Sequence, residues 1–496
     1  MDCRILRSLT LKSDGHLCCD DSTGYGLHLG EVSTKPGWNI KKVFEGPVWA
    51  HVRRSFQEGR VPWPGTCEEC ELLSPGAAPL DTLATSVVVR VEPTLSCELR
   101  CPCCGRMQEV RRRQGDWHLA PALFESLLKS CTGLGIEVDA VVYLGLGEPL
   151  EHPAFSSLCE LASKFVPSAQ QELTTNGNQT YRESVGSGRL DRIIVSCDGV
   201  RQSSYAKYRI RGEVRRALQF MRDVRQYAEH RPFLEWKYIL FEFNDSDEEI
   251  IEAQTTAEEI GVDSIMFIVT NSRFHSKRFL ANRLFSFPLA SPIASLSPAA
   301  AMQKVLRPGK VTFGLSGTPG GPPCRLFVDD CVLLTCGVVQ LQGWALGADG
   351  SYVDRIEVHL GETAVGSART MHRRKDVPRA IPEAAGPYCG FILQFPFPAA
   401  SQPGHAIALA WRYGSDAPRG GEIAFGLRLK IRVGGSAQYF DGVASFPPFD
   451  ATVFAAEQHL PAADSGNGTS DLVLISIANQ KVGDGSQFAL SDSIVR

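Results

Sequence analysis

The 496-residue chain has no apolar run of the roughly 18 residues that a membrane-crossing helix needs. Its opening segment, MDCRILRSLTLKSDGHLCC, turns polar before an apolar core of about 7 to 15 residues can form, so no secretory leader is readable. An excess of charge is missing too. Lys and Arg number 51 against 55 Asp and Glu, a formal net charge of -4, which argues against capture of nucleic acid or anionic membrane by bulk charge. No internal repeat of convincing period stands out. These absences predict a soluble protein with a cytoplasmic address, no membrane span and no nucleic-acid partner. The triplet Asn467-Gly468-Thr469 has no secretory context in which to act.

Cysteine is what the chain does have. There are 16, and nine of them fall between Cys3 and Cys104. In a reducing compartment such clustering points to metal binding or catalysis rather than to a disulfide framework. Cys131, Cys159, Cys324, Cys331, Cys336 and Cys389 lack metal-ligand spacing and read as small buried residues.

The periodicity divides the chain. A turn-rich stretch around Ser74-Pro75-Gly76 separates an amino-terminal module, residues 1–78, from a region of alternating strands and helices, residues 82–288. Strand candidates there are Thr85–Val91, Val138–Leu144, Glu172–Thr175, Arg192–Ser196, Glu235–Leu240 and Ser264–Val269. Apolar residues spaced by three and four predict helices over Leu119–Cys131, Pro153–Phe165, Glu213–His230 and Asp247–Ile260. Such alternation predicts an α/β fold with a parallel sheet, doubly wound or curled into a barrel. Residues 289–325, rich in Ala, Ser, Pro and Gly, read as a linker. Residues 326–446 read as an antiparallel β-sandwich with strands near Val338–Leu346, Arg355–Leu360, Gly390–Phe395, Ala406–Trp411 and Ile423–Ile431. Residues 447–496 read as an irregular tail with one apolar run, Leu472–Ile477.

Cys97, Cys101 and Cys104 form a C-x3-C-x2-C set directly after the first strand of the alternating region. Three thiolates on a loop can hold three irons of a cubane and leave the fourth iron open to an outside ligand. A zinc ion closed by a fourth ligand such as Cys103 is the alternative. Beyond the set, the second strand runs into Gly145-Leu146-Gly147-Glu148-Pro149, the third into Thr175-Asn176-Gly177, and the fourth into Ser196-Cys197-Asp198-Gly199. Arg209-Ile210-Arg211-Gly212 follows. Glycines at strand ends let a ligand approach the backbone closely.

From about Thr82 to Pro288 these segments resemble the radical S-adenosylmethionine (radical SAM) superfamily. The resemblance implies a partial (β/α)6 parallel barrel whose 4Fe-4S cluster binds S-adenosylmethionine and splits it reductively to a 5'-deoxyadenosyl radical. That radical would abstract hydrogen from a peptide, protein or glycan substrate, in an oxidoreductase or transferase reaction fed by a reductant such as flavodoxin or ferredoxin. Gly145, Gly147, Glu148, Pro149, Thr175, Asn176, Ser196, Asp198 and Arg211 are then the expected contacts to S-adenosylmethionine. Two positions depart from the pattern: Cys103 stands where an aromatic residue is common, and Leu146 where a second adjacent glycine is common.

The amino-terminal cysteines Cys3, Cys18, Cys19, Cys67 and Cys70 surround an Asp14-Gly15 turn and end in C-x2-C. They resemble the SPASM or twitch module, normally placed after the barrel. The resemblance implies an auxiliary 4Fe-4S cluster on Cys3, Cys19, Cys67 and Cys70, with Cys18 as the alternative to Cys19. A four-cysteine zinc knuckle fits the same composition. The basic runs Arg111-Arg112-Arg113 and Arg373-Arg374-Lys375 read as solvated surface. His152 reads as a loop-shaping residue, and Lys237 as a strand residue near the barrel lumen with a structural role. Trp344 reads as a sandwich-core residue, with sugar stacking as the alternative. A non-catalytic metal-binding scaffold with a carbohydrate-binding sandwich is the second functional reading.

Overall fold

The computed structural model describes residues 2–19, 28–64, 66–67, 70, 73–74, 85–113, 117–185, 188–279, 287–298, 305–315, 324–334, 337–370, 372, 374, 376–386, 389–398, 423–433 and 436–447. The chain forms two compact units, Met1–Leu280 with Ala299–Ala301 and Ala281–Pro298 with Met302–Arg496. Among the described residues no helix is long and apolar enough to cross a membrane.

The first unit begins with strands β1 (Asp2–Cys3), β2 (Ser8–Leu11), β3 (His16–Cys18) and β4 (His28–Glu31), helices α1 (Lys41–Phe44) and α2 (Pro47–Gln57), and strand β5 (Leu73–Ser74). Strands β6 (Ser86–Val91), β7 (Glu137–Tyr143), β8 (Gln170–Thr175), β9 (Arg192–Ser196), β10 (Phe233–Leu240) and β11 (Ser264–Val269) follow. They lie side by side in chain order, each parallel to the next. Between them run α3 (Arg106–Arg112), α4 (Pro121–Gly133), α5 (Phe155–Phe165), α6 (Tyr181–Ser184), α7 (Gln202–Tyr208), α8 (Val214–Tyr227) and α9 (Asp247–Ile260). This is a partial (β/α)6 barrel.

Strands β6, β8, β9 and β11 alternate half-buried and fully buried residues. The fully buried set faces the helices: Tyr143 packs edge-on against Phe124 of α4 and Phe155 of α5, and its hydroxyl donates to the Leu158 carbonyl at 3.2 Å. On the other face of the sheet, Arg192 donates to Glu172 at 3.0 Å and to Glu235 at 2.8 Å. Lys237, two residues beyond Glu235, shares this half-buried face.

The amino-terminal segment extends the same sheet. β2 runs parallel to β6, with Ser8 opposite Val88 and Leu11 opposite Val91, and β3 and β4 continue outward antiparallel. Beneath this junction lies a buried charge cluster: Lys12 Nζ is 3.6 Å from Glu92, Arg113 Nη1 is 2.8 Å from the same carboxylate, and Arg113 Nε is 3.0 Å from Glu109. Arg113 is therefore buried in ion pairs rather than solvated, because α3 turns that side of its basic run toward Glu92. Arg374, from the other basic run, pairs with Asp376 at 2.7 Å and with Asp329.

The second unit comprises β12 (Ala294–Pro298), β13 (Val305–Pro308), β14 (Lys310–Leu315), β15 (Cys324–Leu334), β16 (Val338–Gly347), β17 (Arg355–Leu360), β18 (Thr363–Ala368), α10 (Asp376–Ala380), β19 (Gly390–Pro396), β20 (Ile423–Val433) and β21 (Ser436–Phe446). Antiparallel sheets β13-β15-β16-β19 and β14-β21-β20-β17-β18 enclose one core that includes Leu341, Phe391, Leu393, Ile356, Leu429 and Ile431. It is a β-sandwich. The stretch read as a linker carries β12 to β14; in β12 and β14 hydroxyl and small side chains conceal the strand alternation. Trp344 is half-buried rather than central, stacked at 6.1 Å on its cross-strand partner Phe327. The runs Ala406–Trp411 and Leu472–Ile477, with Cys336, lie outside the described residues.

Candidate metal and nucleotide site at the strand ends

The C-x3-C-x2-C set occupies the loop leaving β6, and its last two cysteines close a turn in which Cys104 N donates to the Cys101 carbonyl at 3.1 Å. Cys97 and Cys101 are half-buried and Cys104 is exposed. Burial holds the Cys97 thiol far above its ordinary pKa, with Glu98 and Glu148 adding to the effect. Burial raises Cys101 as well, partly offset by the Arg209 guanidinium. Thiolates here therefore need a cation to be stable, as a metal centre supplies.

Among the described residues, the group of three or more Cys, His or carboxylate ligand atoms lying within 4.8 Å of one another is His16, His28 and Glu31.

The loop leaving β7 packs directly on the cysteine loop. A Cβ on Gly147 would stand 2.1 Å from the Thr94 carbonyl oxygen, and one on Gly145 would stand 2.5 Å from Glu92 Cγ. Only glycine permits this approach. Glu148 N donates to the Ser96 carbonyl at 2.7 Å. The Glu148 carboxylate accepts from Thr175 Oγ1 at 2.6 Å, Asn176 N at 2.7 Å and Leu150 N at 3.2 Å, stitching the ends of β7 and β8 together. Burial, with Glu98 nearby, pushes its pKa up to about 8. Both carboxylate oxygens of Glu98 are buried, beside the Glu151 carboxyl and the Asn176 amide. Burial and the neighbouring Glu151 carboxyl push Glu98 up to about 7. Asn176 Nδ2 lies 3.9 Å from Cys97 Sγ.

The loops leaving β9 and α7 complete the rim. Asp198, fully buried, accepts from Arg209 Nε at 2.6 Å and from Ile239 N at 2.8 Å. Burial opposes the Arg209 charge, but Asp198 and Cys101 outweigh it and hold its pKa well above the ordinary value. Arg100 N donates to the Ile210 carbonyl at 3.0 Å, tying this turn to the cysteine loop. Arg211 is exposed, with a left-handed φ of 75°. Ser196 is half-buried and Pro149 buried. His152 is locked in place: Ala154 N donates to its Nδ1 at 3.1 Å, and its Nε2 lies 2.9 Å from the Leu119 carbonyl.

Arg209, Glu98 and Glu92 are residues that the strand-end motifs do not single out. Arg209 and Arg211 are both arginines two positions apart, so only the turn geometry reveals which is buried. Glu92, in Val91-Glu92-Pro93-Thr94, is marked only by an acidic residue ending an apolar strand.

At the amino terminus, Cys3 pairs with Leu73 across β1 and β5, three residues past Cys70. Cys70 N donates to the Cys67 carbonyl at 3.2 Å, a turn like that of the central C-x2-C. Cys18 is buried at the end of β3, where burial raises its thiol to about 11 despite Lys12. Cys19 follows it, half-buried.

No protein-family model and no curated protein matches the chain. Solved structures with partial likeness include Streptococcus suis SuiB, 17% identical over 44% of this chain and 49% of that one, with a TM-score of 0.33. BtrN in complex with AdoMet and 2-DOIA is 22% identical over 23% of this chain and 46% of its own, with a TM-score of 0.20. Native anSMEcpe with bound AdoMet is 15% identical over 40% of this chain and 58% of its own, with a TM-score of 0.30. The chain thus spans about half the length of the first two.

Proposed function

We propose that the chain is a radical SAM enzyme. The observation that carries this reading is the position of Cys97, Cys101 and Cys104. They share one loop at the C-terminal end of the first barrel strand, facing the loops that leave β7, β8 and β9. Cys97, Cys101 and Cys104 would hold a 4Fe-4S cluster. Bound there with S-adenosylmethionine, such a cluster would supply the one-electron reduction that cleaves the sulfonium and starts hydrogen abstraction from the substrate.

The chain's own groups orient the nucleotide. Gly145 and Gly147 bring backbone within contact distance, while the buried Glu98 offers counter-charge to the methionine ammonium. Glu148 holds Thr175 and Asn176 in register, and Asp198 keeps Arg209 beside Cys101. Cys3, Cys67, Cys70 and one of Cys18 and Cys19 would hold an auxiliary 4Fe-4S cluster for electron transfer or support. The substrate class is a peptide, protein or glycan, and the electron donor a flavodoxin- or ferredoxin-like protein.

Anaerobic reconstitution, iron and sulfide analysis, and then dithionite with S-adenosylmethionine test the proposal. The expected product is 5'-deoxyadenosine. A colourless protein carrying about two zinc ions, with no such product, would instead establish the scaffold reading.

A further inference from the structure

We propose that His16, His28 and Glu31 form a second metal site, built without a cysteine ligand, for a borderline divalent transition ion such as zinc. The three residues share the outward face of the β3–β4 hairpin. His16 sits directly opposite Glu31 in the strand register, and a register shift between Leu17 and Cys18 brings His28 into the same group. The two imidazole rings lie 4.4 Å apart, edge to face.

The distances suit one ion. His16 Nε2 is 3.1 Å from Glu31 Oε1, His28 Nε2 is 3.9 Å from the same oxygen, and all three ligand atoms fall within 4.8 Å. Around a tetrahedral zinc with bonds of about 2.0 to 2.1 Å, ligand atoms stand roughly 3.3 Å apart. One edge already has that length, and small rotations of the exposed His28 and Glu31 side chains supply the others.

The second ring nitrogen of His16 is anchored as ligating histidines require. Asp14 Oδ1 is 3.0 Å from His16 Nδ1, and accepts from His16 N at 3.2 Å. Asp14 is itself held by Arg113, whose Nε is 3.5 Å from its other oxygen. A carboxylate on Nδ1 fixes the tautomer that presents the Nε2 lone pair and makes the imidazole a better donor. The turn that places Asp14 is tight: Gly15, with φ of 88°, donates its N–H to the Lys12 carbonyl at 2.9 Å.

Two imidazoles and a carboxylate favour zinc, cobalt or nickel over magnesium or calcium. Because His28 and Glu31 are exposed, the remaining coordination positions face solvent. A bound ion would clamp β4 to β3, the strand that ends in Cys18 and leads into Cys19. The site stands independently of the radical SAM reading.

The test uses the full chain after anaerobic loading with iron and sulfide, so that the cysteines are occupied. Titration with zinc against a chromophoric chelator should show one further equivalent per chain. It should be lost in His28→Ala and Glu31→Gln, and weakened about 10- to 100-fold in Asp14→Asn, with iron content unchanged. Cobalt at the same site should give visible bands without the near-ultraviolet sulfur-to-cobalt absorption that marks cysteine binding. No zinc beyond the cysteine sites, or an equal zinc content in His28→Ala, would overturn the proposal.

Discussion

Arg209 donates to Asp198 through Nε at 2.6 Å, and the pair is almost wholly enclosed, with side-chain exposures of 12% and 0%. Asp198 also receives the backbone N–H of Ile239, so the loop leaving β9 is held both to β10 and to the turn after α7. Arg209→Met would leave a buried carboxylate without its counter-charge, a loss of about 3 to 5 kcal/mol. Urea unfolding should record it, and Arg211→Met, at an exposed position, should stay within about 0.5 kcal/mol of the parent.

Cys101→Ala removes one of three loop thiols. Anaerobically reconstituted protein should lose iron at that site and all 5'-deoxyadenosine formation, while the amino-terminal cysteines still bind iron. Retained product would show that the loop does not hold the reacting centre.

Gly147→Ala places a methyl group against the Thr94 and Ser96 carbonyls, which are backbone and cannot swing aside. Overpacking of this kind costs about 1 to 3 kcal/mol, and it should also separate the β7 loop from the cysteine loop. Thermal unfolding and S-adenosylmethionine binding should both suffer. Gly133→Ala, with open space around the added methyl, is the matched control and should do neither.

The sandwich should be sensitive to acid through Glu357. Burial alone would raise this carboxyl, but His359, Lys430 at 3.2 Å and Arg432 at 3.5 Å outweigh it and lower its pKa below 4.5. A carboxylate depressed in the folded state stabilises above its unfolded pKa, and that stabilisation is lost as pH falls from about 4.5 through the folded value. Glu357→Gln should be less stable at neutral pH and show a shallower acid slope, measured by denaturant unfolding across pH 3 to 7.

The barrel was legible because its signals are local. Helix α9 starts at Ser246, whose side chain accepts from Glu249 N, carries three acidic residues in its first turn, and stops at left-handed Gly261. Its expected bounds, Asp247–Ile260, coincide with the observed ones, as do those of β9 and β11. What stayed hidden depends on distant parts of the chain. Nothing in Ser8–Leu11 announces a parallel partner at Val88–Val91, and nothing in Arg111-Arg112-Arg113 says that the last arginine lies over Glu92. Strands β12 and β14 were concealed by Ser, Thr and Gly, whose alternation carries little hydrophobic contrast. The strand-end motifs identified the loops of the candidate site, but the choice between Arg209 and Arg211 required the turn that follows α7.

The parallel pairing of β2 with β6 also orders events during synthesis. Ser8 leaves the ribosome long before Val88, so β2 can close early on β3 but its other edge has no partner until the barrel's leading edge has emerged. Until then Cys3, Cys18 and Cys19 ride on an undocked segment, and assembly of any inorganic centre there must wait for a stretch of chain made much later.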